Sequence, residues 1–468
     1  MKTNESASQL YTIERRGKKA VTAFTAVLFI AVFGSSMLGA QLFGVSINKI
    51  ALLPLEIYLF VQLFKTNQRL RIKPTAYGLV VLYIIQILSS LYALTNRSYA
   101  SAYADYDSRL MNNVLQYIIF YLPILIGLGS LDRKDLILQL KRVLLWVVRI
   151  HCAWALIQFV LWYLMEFDFN GFVFTDLLNG ALGPNYKSTL INLGNYNIQL
   201  RATGINYEPA MLALIMFLGI CFEEKWILKF VYFAACITAL SRVGIVVVAG
   251  ILVFEVLYER YLLWEERRRA LESGKMLKKE KGNALVLVVI STIGVVAVLF
   301  VFFRYYDLIM GQISNMIKRF ADMGNSVDGS DRHIMYPVYC WYSWVMDLDV
   351  FQKFFGIGPR VSGLAFVESP YVSSVMTFVP TMLTSAWEIE SDTAAILLGT
   401  GLFGFITYLL ILWKMMKSGR KELTYFSIGL FVYGFMYNCF SNTLMQVVLL
   451  ITFVSMVGNG QKRAGKEI

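Results

Sequence analysis

Residues 226–260 read WILKFVYFAACITALSRVGIVVVAGILVFEVLYER. The number of times this stretch crosses a membrane decides on which side every later segment lies. As one helix it would be about 52 Å long at 1.5 Å per residue, far more than a hydrocarbon core of about 30 Å. Two short helices, turning near Ser241-Arg242-Val243-Gly244, fit instead. The rest of the chain has the same character: 57% of its residues are hydrophobic and 16% charged, where a soluble domain carries about 25% charged. Runs of about 17 to 25 apolar residues recur, each long enough to span a bilayer. They do not alternate as barrel strands would, so helices are the structures that satisfy their backbones in lipid.

The expected fold is therefore all-α: a polytopic integral membrane protein of about twelve transmembrane helices with two long extracytoplasmic loops. The helices are expected at 20–40, 48–64, 75–95, 113–130, 141–165, 207–222, 226–240, 243–260, 284–304, 393–413, 423–439 and 444–458. Residues 1–468 then form a single transmembrane domain, with extracytoplasmic loops at 166–206 and 305–392 and a basic cytoplasmic loop at 258–282. Arg15, Arg16, Lys18 and Lys19 precede the first apolar run, with no small-residue cleavage site after it. That reads as an uncleaved first helix whose N-terminus stays in the cytoplasm.

Charge tests this layout. With both termini inside, the inner segments hold 30 of the 43 Lys and Arg and the outer segments 12, with Arg149 inside the fifth helix. The bias agrees with the positive-inside rule. It also accounts for the net charge of +12 without a nucleic-acid partner. Merging 226–260 into one helix would put the basic loop outside, with Arg260, Arg267, Arg268, Arg269, Lys275, Lys278, Lys279 and Lys281.

Several chemistries are disfavoured. The five cysteines (Cys152, Cys221, Cys236, Cys340 and Cys439) contain no C-x-x-C pair and no disulfide framework. Two histidines, His151 and His333, are too few for a His-based metal site. No P-loop, dinucleotide fingerprint or H-E-x-x-H occurs, so neither a metal nor a cofactor is expected. The larger loop carries Tyr336, Tyr339, Trp341, Tyr342, Trp344, Phe351, Phe354 and Phe355. Such aromatic density suits a folded cap or helices lying on the membrane interface. Gly356-Ile357-Gly358-Pro359 marks a turn within it.

The polar residues that remain favour anion recognition. Arg201 precedes the sixth helix, Arg242 sits at the outer turn between the seventh and eighth, and Arg332 lies in the large loop. A guanidinium offers phosphate a planar fork and stays charged at any physiological pH. Three of them on one side suit a pyrophosphate at the lipid–water boundary. Each also has a plain structural reading: Arg242 snorkelling, Arg201 bridging Glu208 or bracing its loop, Arg332 pairing with Asp328 or Asp331. Glu208 and the Glu388/Glu390/Asp392 group border outer helix starts. A carboxylate there, or His333, is a candidate general base; Glu208 as a helix-start residue and Asp392 as an N-cap are the alternatives. Arg149 and His151 lie in the fifth helix, Arg149 about eight residues from its inner end and so within snorkelling reach.

In order, Arg201-x-x-Gly204, Tyr207-Glu208-Pro209, Thr238-Ala239-Leu240-Ser241-Arg242-Val243-Gly244, Arg332, Phe355-Gly356-Ile357-Gly358 and Glu390-Ser391-Asp392, followed by Gly401 and Gly404, make the chain resemble the O-antigen polymerase (Wzy-type) and O-antigen ligase superfamily. The resemblance runs from the fifth helix onward. It implies a metal-independent membrane glycosyltransferase, resembling the GT-C kind, in a bacterial cytoplasmic (inner) membrane. Such an enzyme joins polyprenyl (undecaprenyl) diphosphate-linked oligosaccharide units into a surface polysaccharide at the outer face. Its partners would be the lipid-linked donor and acceptor, membrane lipid and a chain-length regulator. Arg201, Arg242 and Arg332 would hold the diphosphate, and Glu208, Asp392 or His333 would activate the acceptor. The ligase branch is expected to carry a histidine late in its large loop, where this chain has Glu390 and Asp392, and this departure favours the polymerase. Ligase-like transfer of a finished glycan, or a flippase for lipid-linked sugars, stays open.

Overall fold

Intrahelical hydrogen bonds are the internal partners available to a lipid-bound backbone, and the apolar runs close into helices accordingly. The computed structural model describes residues 22–37, 39–42, 45–96, 103–131, 135–178, 182, 189–192, 198–206, 208–272, 340–368, 388–389 and 391–456. The helices are α1 (Thr22–Ser36), α2 (Ile47–Thr66), α3 (Pro74–Asn96), α4 (Tyr106–Ser130) and α5 (Leu136–Met165). Next come α6 (Pro209–Phe222), α7 (Trp226–Thr238) and α8 (Arg242–Glu272). Then follow α9 (340–346), α10 (Val350–Phe355) and α11 (Gly363–Glu368). The last are α12 (Asp392–Met416), α13 (Lys421–Met436) and α14 (Thr443–Ser455). Two antiparallel ribbons complete the described residues: β1 (Gln41–Leu42) with β2 (Val45–Ser46), and β3 (Thr189–Asn192) with β4 (Ile198–Arg201).

Among the described residues five helices, α2, α3, α4, α5 and α12, are long and apolar enough to cross a membrane by length and composition. A helix stands at each expected position except 284–304, which lies outside the described residues. Several bounds differ. The chain breaks one residue before the expected turn, where Leu240 takes a left-handed φ of 48°. α8 then runs on to Glu272, so the first part of the expected loop 258–282 is helical. Its sequence, YERYLLWEERRRALE, is rich in Leu, Glu, Arg and Ala, which favour helix whatever their polarity. α4 starts at Tyr106, ahead of the expected 113, with Asp105 and Arg109 paired across its first turn.

The chain divides into two compact units, Met1–Val253 with Tyr336–Ile468, and Phe254–Met335. In the first, α6 and α14 are apolar on all sides and buried almost throughout, as central helices must be. α12 packs against α13 and α3. Polar contacts gather at opposite ends of α12. At one end Lys414 Nζ donates to Thr75 O at the start of α3 (2.7 Å). Arg149 of α5 pairs there with Glu223, just beyond α6, at 3.0 Å, and Lys141 with Glu224. Arg149 is thus anchored in an ion pair, with Tyr232 also donating to Glu223 (3.2 Å). At the other end lie the starts of α6, α12 and α14.

Two loops enter the bundle from that second end. Residues 202–206 are buried. Gly204 turns there with φ +62°, and a Cβ on it would lie 3.1 Å from His151 Nδ1, near the middle of α5. His151 is bonded on both nitrogens: Ile205 N donates to Nδ1 (3.3 Å), and Ser36 Oγ lies 2.8 Å from Nε2. Gln158 Oε1 accepts from Gly204 N (2.9 Å), and Asn170 Nδ2 donates to Thr203 Oγ1 (2.9 Å).

The second loop is 356–359. α12 is kinked at Gly401 (φ 67°, ψ −168°). The carbonyls of Leu398 and Gly399, which a straight helix would direct to its own amides, accept instead from Ile357 N (2.9 Å) and Gly358 N (3.0 Å). Phe354 and Phe355 of α10 pack on Phe403, 5.4 and 5.3 Å between ring centroids, while Phe351 meets Tyr92 of α3. Phe354 and Phe355 therefore pack beside α12 close to its kink at Gly401.

Candidate functional site

The site is built on the turn between α13 and α14, where YNCFSN (437–442) interrupts an apolar stretch. α13 ends as Tyr437 turns extended, and Asn442 caps α14 by accepting from Leu444 N (2.9 Å). Between them, the turn offers donors to three acids. Tyr437 Oη donates to Glu208 Oε1 (2.8 Å). Cys439 Sγ donates to Asp392 Oδ2 and Phe440 N to Asp392 Oδ1, both at 2.8 Å. Ser441 Oγ donates to Glu388 Oε1 (2.9 Å). Three carboxylates, one from the start of α6 and two from the residues that lead into α12, thus share one short turn.

Glu388 also binds a cation. Arg360 Nη1 donates to Glu388 Oε2 and Nη2 to Ser441 O, both at 3.0 Å. Burial is the largest single influence and works against the charge on Arg360, but Glu388 beside it, together with Tyr117 and Tyr121, outweighs burial and holds the guanidinium above its ordinary pKa. Beneath it, α4 adopts a π turn over Gln116–Tyr121. Such turns reorient side chains and recur at functional sites. Tyr117 and Tyr121 are brought together there (5.3 Å between centroids) with Tyr83 of α3, and both phenols lie within electrostatic reach of Arg360. Tyr83 Oη donates to Gln446 Oε1 (2.6 Å), and Gln446 Nε2 to Phe440 O (2.5 Å), which ties the phenols to the turn.

The predicted residues fare differently. Glu208 occupies the N-cap position of α6, but its side chain makes no cap bond; it accepts from Tyr437 and stays partly exposed. Asp392 is not the N-cap of α12. Ser391 fills that position, its Oγ accepting from Ala394 N (3.4 Å). Asp392 is the first helical residue, 1% exposed, with both oxygens accepting bonds from the turn. It organises the turn, and Glu208 is the more accessible of the two. Arg201 ends β4, and its Nε donates to Ala239 O (3.2 Å) just beyond α7, where a helix end favours a cation. Ala202 N also bonds Thr238 O (2.9 Å), so this segment is fastened to the α7–α8 corner, and Arg242 is the first residue of α8 at that corner. Arg332, His333 and Glu390 lie outside the described residues.

Two members of the site escaped sequence reasoning. Arg360 follows the Gly356–Pro359 turn and reads as one more loop cation. Tyr437–Cys439 reads as the end of the helix expected at 423–439, and Phe440 and Ser441 as part of the plain gap after it. The available signal was the density of donors over 437–442, with no other polar work to do between two apolar helices. In comparison with known proteins, the chain matches no protein-family model and no curated protein.

Proposed function

We propose that this chain is a membrane glycosyltransferase of the O-antigen polymerase kind. It extends polyprenyl-diphosphate-linked oligosaccharides at the outer face of a bacterial cytoplasmic membrane. The observation that carries this reading is the Tyr437–Ser441 turn, which gathers Glu208, Asp392 and the Glu388–Arg360 pair at one end of the helix bundle. That end is the one assigned to the outside by the excess of Lys and Arg in the other segments.

In the proposed reaction Glu208 takes the proton from an acceptor hydroxyl, which attacks the anomeric carbon of the donor sugar. The bond from that carbon to the diphosphate breaks, and the diphosphate leaves with growing negative charge. Fixed cations help most at that moment, and Arg201, Arg242 and Arg332 are the ones assigned to it. Tyr437 fixes the direction of the Glu208 carboxylate.

The test is incubation of purified protein with a defined polyprenyl-diphosphate oligosaccharide, followed by product sizing. Wild type should form a ladder of longer products. Glu208→Gln and each of Arg201→Ala, Arg242→Ala and Arg332→Ala should remain inserted but lose it, with lysine at the arginine positions restoring part of the activity. Long product from a chain carrying all three Arg→Ala changes would refute the assignment.

A further inference from the structure

Arg360, Glu388 and Ser441 close a ring of three hydrogen bonds. Arg360 donates through Nη1 to Glu388 Oε2 and through Nη2 to Ser441 O, both at 3.0 Å, and Ser441 Oγ donates to Glu388 Oε1 at 2.9 Å. The ring leaves capacity over. A guanidinium carries five N–H donors and a carboxylate about four lone-pair sites. Among the described residues two of those donors are used, and the carboxylate accepts two bonds. The Arg360 and Glu388 side chains are 27% and 16% exposed, so spare donors and spare acceptors stand together at a partly open place. Arg360 also has a left-handed backbone, φ 69°. For a residue with a Cβ this is a strained state, held only where the surroundings over-determine it, and such states gather at ligand clamps. The amides of Ile357 and Gly358, bonded to Leu398 O and Gly399 O, fix the loop that leads into it.

Charge narrows what can fill this place. Arg360 has its counter-charge in Glu388, and the pair is neutral overall. An anion would meet the carboxylate, and a cation would meet the guanidinium. A hydroxyl is at once donor and acceptor. Neighbouring hydroxyls on one ring can therefore accept from the guanidinium and donate to the carboxylate without displacing either. The turn itself sets the scale: from Tyr437, which holds Glu208, to Ser441 the chain spans at most about 14 Å.

We propose that Arg360 and Glu388, braced by Ser441, form a subsite for the vicinal hydroxyls of an uncharged sugar ring. Identifying that ring as part of the oligosaccharide whose hydroxyl Glu208 activates rests on the function proposed above. Its role is selection. Polar groups matched to a hydroxyl reject an analogue that lacks it far more strongly than an apolar pocket rejects one methylene too many.

The experiment uses the full chain in phosphatidylcholine nanodiscs with two probes: the lipid-linked repeat unit of its native cells, and the oligosaccharide freed from that unit by mild acid. Arg360→Gln and Glu388→Gln should each raise KM and weaken binding of the freed oligosaccharide at least fivefold, with kcat within twofold of wild type. That split marks a contact made equally in the ground and transition states. Arg360→Lys, which keeps the charge and loses the fork, should fall between. Arg109→Gln, a surface cation paired with Asp105, should match wild type. Wild-type binding of the freed oligosaccharide should change less than twofold when salt is raised tenfold, because the contact involves no net charge. A merely structural pair gives the opposite split: kcat falls as the turn carrying Tyr437 shifts, and binding of the freed oligosaccharide stays within twofold. That result overturns the subsite and leaves the proposed function standing, as does a fivefold loss of wild-type binding in high salt, which would mark an ionic ligand. Where KM and kcat both change, binding of the freed oligosaccharide decides. If wild type elongates nothing but binds the freed oligosaccharide through Arg360, the function falls and the subsite stands; if it does neither, both fall. Should Arg360→Gln fail to insert, Arg360→Lys and Glu388→Gln decide by the same criteria.

Discussion

Gly401→Ala tests whether the break in α12 is imposed by its neighbours. Gly401 has φ 67° and ψ −168°, a region that is essentially glycine-only. Holding alanine there costs about 1–3 kcal/mol. An added Cβ would also lie 2.3 Å from the carbonyl carbon and oxygen of Phe354. Those are backbone atoms of α10, whose next residues are bonded to Leu398 and Gly399, so they cannot swing aside as a side chain would. Overpacking of this kind costs about 1–3 kcal/mol more. The two add to about 2–6 kcal/mol, a large part of the stability of most domains. The assay is reversible unfolding of the full chain in mixed micelles, with Gly250→Ala as the control. A Cβ at Gly250 meets nothing within 4 Å, and alanine is the better helix former by about 1 kcal/mol. Gly250→Ala should therefore match or exceed wild type while Gly401→Ala falls well below it. Equal stability of Gly401→Ala and wild type would refute the argument that α10 and the 356–358 loop hold the break open.

Two further expectations follow from the buried polar contacts. Burial alone would raise the pKa of Glu223, but the hydrogen bond from Arg149, with the amides of Lys225 and Glu224, outweighs it and holds the carboxyl below its ordinary value of 4.5. A folded-state pKa below the unfolded one means stabilisation that is present above pH 4.5 and is lost as pH falls through the folded value. Glu223→Gln should thus melt below wild type at pH 6 to 7 by about 1 kcal/mol, since Arg149 is 39% exposed and solvent screens the pair. The gap should close as the pH is lowered past about 4, and a gap independent of pH would exclude the ion pair as its source. His151→Ala should leave Ile205 N without its acceptor and a cavity beside Gly204, costing about 2–5 kcal/mol. Limited proteolysis should then cut within 201–208 faster than in wild type, and an unchanged rate would count against His151 as the anchor of that loop.

Much of the fold is legible in the sequence because a lipid-facing backbone has so few options. Apolar runs of sufficient length become helices, and the stretch 226–260 must break because one helix of that length fits no bilayer. The break falls at Leu240, beside the residues that suggested it. Helix bounds were less legible where polar residues continue a helix into water, as α8 does to Glu272. Local propensity acts there, and hydropathy carries no trace of it.

The site divides along the same line. Residue type and position beside apolar runs single out Glu208, Asp392 and Arg201, since polar groups at helix starts are visible in one dimension. Their partners are not. Tyr437 meets Glu208 across 229 positions of sequence, Arg360 meets Ser441 across 81, and Ser89 bonds the freed carbonyl of Gly399 across 310. Such pairings depend on which helices pack side by side, and apolar surfaces alone specify that weakly because most of them are interchangeable in lipid. By itself, the sequence determined that the chain is a set of apolar helices with polar residues at their ends. Tertiary packing alone decided that α12 breaks at Gly401, that His151 serves as an anchor, and that Arg360 and Glu388 join Glu208 and Asp392 on one turn. The physical reason is that a buried donor or acceptor must find a partner wherever the packing places one.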